Sequence, residues 1–71
     1  MTAIDLENDR LLKVSEVARM VGMGVSTIYQ HVAAGTFPKP LKLGPQASRW
    51  LRSEVQAWVE KRVSERESEA A

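Results

Sequence analysis

Apolar positions between Val14 and Gly35 fall into two short helical patterns separated by a glycine turn. In the first, Val17, Ala18 and Val21 recur at i, i+1 and i+4 and mark one face. Ser15 offers a hydroxyl N-cap, and Glu16 places a carboxylate in the first turn, where the helix dipole favours it. Gly22 is expected to end this helix as a left-handed residue, and Met23-Gly24 makes the turn. The second helix is expected from about Val25 to Ala34, closed by Gly35. Turning by roughly 100° per residue, it puts Val25, Ile28 and Val32 on one side, expected to face the core. Ser26, Thr27, Gln30 and Ala34 point the opposite way, with Tyr29 and His31 on the flanks. A plain amphipathic packing helix is the alternative. Its solvent side, however, normally carries long Glu and Lys chains, whereas the short polar groups here permit close approach of a second surface.

The pattern changes after Gly35. Thr36-Phe37-Pro38-Lys39-Pro40 is not helical, because two prolines remove donors and fix φ, and Phe37 is expected as an apolar plug behind the second helix. Leu41-Lys42-Leu43 alternates as a strand, Gly44-Pro45-Gln46-Ala47 turns, and Ser48-Arg49-Trp50-Leu51 returns. Leu41, Leu43 and Trp50 are expected to point inward, with Lys42 and Arg49 outward. A two-stranded ribbon is marginal alone and must lean on the helices. Ser53 to Gln56 reads as a capping box for a last helix carrying Val55, Trp58, Val59 and Val63 on one face, with Trp58 in the core. Leu11-Leu12-Lys13-Val14 reads as extended. The expected organisation is a mobile arm over residues 1–10, a folded domain over 11–63 and a charged tail over 64–71 that continues the helix or frays. The fold class is mainly α with a small β-hairpin, a winged helix-turn-helix of order α-α-β-β-α.

Composition narrows the chemistry. At 71 residues there is room for one small domain and little room for a pocket. With no Cys and one His, neither a disulfide nor a zinc site is expected. No nucleophile–base pairing and no Gly-rich phosphate loop appears, so an enzyme is not expected, nor a cofactor or small-molecule substrate. No apolar run reaches membrane-spanning length, and the first ten residues are too polar for a signal peptide; a soluble cytoplasmic protein without a membrane partner is expected. The net charge of +1 hides an asymmetry. From Val17 to Ser53 there is no acid, while Arg19, Lys39, Lys42, Arg49 and Arg52 are basic. A local cationic excess around a helix pair suits a polyanion, with a solvated surface as the alternative.

Taken together, Leu11-Leu12, Val17 with Gly22, Ser26-Thr27-Ile28-Tyr29, Gly35, Phe37-Pro38-Lys39-Pro40, Leu41-Lys42-Leu43-Gly44, Arg49-Trp50, Ser53-Glu54-Val55 and Ala57-Trp58 resemble the AlpA family. These are small phage and prophage regulators that share a MerR-like winged-helix fold with many excisionases, and the resemblance runs over roughly residues 11 to 62. It implies that the second helix is the recognition helix and the ribbon is the wing. Ser26, Thr27 and Tyr29 would contact phosphate or base edges, Gln30 would read bases, and Lys42 and Arg49 would serve the wing or its base. Lys39 joins them as a further cation of the interface. The implied function is sequence-specific binding of double-stranded DNA by a transcriptional regulator. An excisionase working with an integrase or recombinase, and with neighbouring copies on DNA, is the alternative within that class. A protein-interaction adaptor with little DNA affinity is the alternative outside it. The chain departs from the family at Gly24-Val25, where Ser then Arg or Lys is usual, at Gln30, often Arg, and at Gln46, often basic. Those last three changes each remove a cation near the expected interface, so weaker binding with a shallower salt slope is expected.

Overall fold

In chain order the computed structural model has β1 (Leu11–Leu12), α1 (Val14–Val21), α2 (Val25–Ala34), β2 (Leu41–Gly44), β3 (Ala47–Leu51) and α3 (Arg52–Ala70). It describes residues 9–70; the first eight residues of the expected arm, and Ala71 of the tail, lie outside the described residues. Two left-handed glycines set the ends of the first two helices. Gly22 (φ 70°) closes α1, its N–H bonding the carbonyl of Ala18 at 2.8 Å. Gly35 (φ 76°) closes α2, where the N–H groups of Gly35 and Thr36 bond the carbonyls of Val32 and His31 at 3.1 and 2.9 Å. This is the C-terminal motif that satisfies otherwise orphaned carbonyls.

The start of α1 differs from expectation. Lys13, not Ser15, holds the N-cap position, with φ −75° and ψ 159°. Its carbonyl accepts from the N–H groups of Glu16 and Val17 at 2.9 and 3.0 Å, and its own N–H donates to Glu16 Oε1 at 2.9 Å. Glu16 thus pulls the helix start back to Val14 and leaves the Ser15 hydroxyl inside the first turn, free of a capping role.

The sheet has three strands in the order β1-β3-β2, so the expected ribbon gains a third member. Both pairings are antiparallel, with Leu11 opposite Leu51, Leu12 opposite Trp50, Leu41 opposite Arg49 and Lys42 opposite Ser48. Facing residues share a side and neighbours alternate. Leu12, Trp50, Ser48 and Lys42 therefore lie on one face, and Leu11, Leu51, Arg49 and Leu41 on the other. The expectation that Leu41, Leu43 and Trp50 all point inward, and Lys42 and Arg49 both outward, is corrected accordingly. Leu41 and Trp50 are on opposite faces, as are Lys42 and Arg49. Leu43 falls in a bulge, because the step from Lys42 to Gly44 is matched by the single step from Ser48 to Ala47, and it is 58% exposed.

The core is one cluster of Leu12, Val17, Ile28, Phe37, Trp50 and Val55, with Val32 and Trp58 packed against it. Val25 was expected there too but is exposed; it occupies the first turn of α2 and does not pack against the cluster. Trp50 is fully buried, and its indole Nε1 donates to the Pro38 carbonyl at 2.8 Å. Trp58 sits at the margin of the core rather than inside it. Its Nε1 donates to the Thr36 carbonyl at 2.7 Å, and its ring meets Phe37 edge-on at 4.8 Å. Two indoles thereby satisfy the backbone of the Pro-rich loop, which has no ladder of its own.

The last helix is capped from outside. Ser53 and Gln56 were expected to form a capping box, yet α3 starts at Arg52. The Asp9 carboxylate accepts from the Ser53 N–H at 3.1 Å and from the Ser53 hydroxyl. Gln56 bridges neighbours along the helix instead, accepting from Arg52 at 3.1 Å and donating to Glu60 at 3.2 Å.

Candidate nucleic-acid interface

The outward side of α2 carries Ser26, Thr27 and Gln30, all exposed, as the helical spacing required. Val25 and Tyr29 join them, each 42% exposed. No acid occurs on α2, so the positive end of its dipole is not offset by a side chain. Tyr29 is anchored: its ring lies 5.9 Å from that of Trp50 at an angle of 59°. A residue of the exposed helix is in this way fixed to the centre of the core.

Beside Tyr29 lies a groove of about 450 Å³ between the start of α1 and the β2–β3 hairpin. Lys13, Val14 and Ser15 form one wall, Gln46, Ser48 and Arg49 the other. Lys42 Nζ donates to Ser48 Oγ at 3.0 Å, which ties this cation of β2 to β3. Arg49 Nη1 donates to the Ser48 carbonyl at 2.9 Å, so the half-buried guanidinium is held against its own strand. No carboxylate among the described residues lines this groove. Glu16, the acid nearest in sequence, lines a separate groove with Arg10, Arg19 and Arg52.

The residues singled out in the sequence are thus distributed unevenly. Ser26, Thr27 and Gln30 share the helix face, Tyr29 and Arg49 line the groove, and Lys42 bonds the groove residue Ser48 without lining the groove itself. Lys39 stands apart, exposed in the loop before β2 and not lining the groove. Sequence reasoning missed Lys13, Ser15 and Ser48. Nothing in their local pattern marks them, because what joins them is the antiparallel pairing of β1 and β2 with β3. His31, on the flank of α2, is half-buried. The Thr36 hydroxyl donates to the His31 carbonyl at 3.2 Å, so His31 Nδ1–H donates to Thr36 Oγ1 at 2.7 Å. The ring is thereby committed to the end of α2.

Among the described residues no group of three or more His, Cys, Asp or Glu side chains is placed to hold a metal ion. Among them, too, no helix is long and apolar enough to cross a membrane.

Comparison with known proteins agrees with this architecture. The family described as Prophage CP4-57 regulatory protein (AlpA) matches residues 10–63. The uncharacterized protein ORF88 of Enterobacteria phage P4 is 40% identical over 62 residues, which cover 87% of this chain and 70% of that protein. No solved structure matches. The matched span takes in the helix pair, the hairpin and the packed part of α3, and the chain belongs to the AlpA family of phage regulatory proteins.

Proposed function

We propose that this protein is a sequence-specific, double-stranded DNA-binding regulator of the phage type, with α2 as its recognition helix and the β2–β3 hairpin as its wing. One observation carries the reading: a helix face of short polar side chains adjoins a groove lined by cations and hydroxyl-bearing residues and, among the described residues, by no acid. A helix fits the major groove, and short side chains let its backbone approach the base edges. Gln30 lies on that face and has the amide geometry that pairs with adenine. Ser26, Thr27 and Tyr29 are donors for phosphate or base edges, and Lys42 and Arg49 supply charge from the hairpin. Lys39 adds long-range attraction from outside the groove.

A gel-shift titration over promoter and attachment-site fragments of its own genome tests the proposal. Salt-sensitive binding to a subset of fragments is expected; no salt-sensitive binding to any of them would refute it. Preference for repeated sites beside a recombinase gene would assign the protein to recombination, alongside an integrase and neighbouring copies, rather than to transcription. The exposed Val25 within the contact face favours one other reading, a protein-interaction adaptor on the same scaffold. That reading requires Gln30→Ala, Lys42→Ala and Arg49→Ala together to leave function intact.

A further inference from the structure

We infer that the groove between the start of α1 and the hairpin is a seat for one backbone phosphate of the bound duplex, held by Lys13, Ser15 and Arg49. The inference rests on the DNA-binding reading and goes beyond it, because it fixes where a strand of the duplex crosses the protein and assigns two residues outside the helix-turn-helix face.

The argument starts from donors. The residues that line the groove include two cations, Lys13 and Arg49, and three that carry hydroxyls, Ser15, Tyr29 and Ser48. They come from three separate parts of the fold, the start of α1, α2 and β3, so the cluster is a product of tertiary structure and not of a basic run. Every one of these groups can donate to an oxyanion. A volume of about 450 Å³ accommodates a phosphodiester and its flanking sugars. Neither Lys13 Nζ nor the Ser15 hydroxyl has a hydrogen-bond or salt-bridge partner among the described residues. Lys13 cannot cap α1 with its own side chain, which carries donors alone. The acid that would neutralise the groove is turned away, because Glu16 is bonded to the Lys13 backbone and lines the other side of the helix.

The position has a consequence for reading. Phosphate contacts position a protein and base contacts specify. Tyr29 lines the groove, and Gln30 is the next residue on α2. A phosphate seated against Lys13, Ser15 and Arg49 therefore sets the depth and register at which Gln30 meets the base edges.

The test uses the full chain and a duplex recovered by the wild-type protein from a random-sequence pool. Ser15→Asp puts a carboxylate in the groove and repels phosphate. The same carboxylate, in the first turn of α1, favours the helix dipole, so thermal stability is expected to hold or rise. Affinity is expected to fall at least about tenfold for every duplex, with sequence preference unchanged. Lys13→Ala is expected to reduce the slope of log affinity against log salt by about one. Lys61→Ala removes the same charge from α3, outside this groove, and is expected to leave that slope unchanged. If both groove variants bind like wild type with the same slope, the phosphate seat is overturned while the DNA-binding reading stands. If the wild-type protein enriches no duplex, that reading falls, and the seat with it.

Discussion

The Asp9 carboxylate caps a helix that begins 43 residues further along the chain, accepting from both the N–H (3.1 Å) and the hydroxyl of Ser53. The Arg52 N–H bonds the Arg10 carbonyl at 2.9 Å beside it. The segment before β1 is thereby fastened to the start of α3. The hydroxyl of Ser53 is the main cause that lowers the Asp9 carboxyl pKa, followed by the N–H groups of Arg10 and Ser53.

A pH dependence follows with a definite sign. A carboxyl whose pKa is lowered by folding contributes stability above its unfolded value, near 4, and loses that contribution as pH falls through the lowered folded value. Asp9→Ala is expected to melt at lower temperature than wild type at pH 7. The gap is expected to narrow as the pH falls below about 4 and to close only below the lowered folded pKa, where both proteins lack the charge. Thermal melts followed by circular dichroism across that range check it; a gap independent of pH would mean that Asp9 acts by packing alone.

Two glycines two residues apart should respond in opposite directions. Gly22 has φ 70°, so a Cβ there is strained although no atom lies within 4 Å, and Gly22→Ala is expected to cost about 1–2 kcal/mol. Gly24 precedes α2 in extended conformation, with φ −68° and ψ 155°, where any residue fits. A Cβ at Gly24 meets only Thr27 Oγ1, at 4.0 Å. Gly24→Ser adds a hydroxyl N-cap and is expected to stabilise by a few tenths of a kcal/mol. Urea unfolding of both variants distinguishes the two effects.

Trp50 is the central support of the hairpin and of Tyr29. Trp50→Phe removes the donor to the Pro38 carbonyl and leaves a void. An unpaired buried acceptor costs about 1–3 kcal/mol, and the lost ring volume adds to that. In a domain this small the sum is a large part of total stability. We expect a lower urea midpoint, read by the fluorescence of the remaining Trp58, and weaker DNA binding below the midpoint because Tyr29 packs against a smaller ring.

Gln30 and the hairpin cations should separate affinity from preference. Lys42→Ala and Arg49→Ala are expected to weaken binding across all duplexes and to flatten the salt dependence. Gln30→Ala is expected to change which duplex is preferred, by about 1–3 kcal/mol at the base pair it contacts, with the salt slope retained. Parallel selections with wild type and each variant measure both quantities.

Much of this molecule follows from local chemistry. The α2 boundaries, the two left-handed glycines, the loop imposed by Pro38 and Pro40, and the outward set Ser26, Thr27 and Gln30 all depend on neighbours within about one helical turn or strand. Periodicity and glycine chemistry encode these directly. The hydrophobic side of α2 was legible for Ile28 and Val32 but not for Val25, because whether the first turn is covered depends on where another element ends.

What only the tertiary structure decided is pairing across long sequence separations. Capping residues could be read, but not which one acts: Ser15 and Ser53 both suit an N-cap, yet Lys13 takes that position in α1 and Asp9 serves α3. Strand alternation could be read, but the third strand and the bulge at Leu43 sort Lys42 and Arg49 onto opposite faces. The groove itself is the clearest case. Lys13 and Arg49 are 36 positions apart and neither is unusual where it stands. They share a wall-lined groove only because Leu12 pairs with Trp50. The sequence alone determined a polar outward face on a short helix; the fold determined the cationic groove beside it, because a sheet register brings together charges that no local period connects.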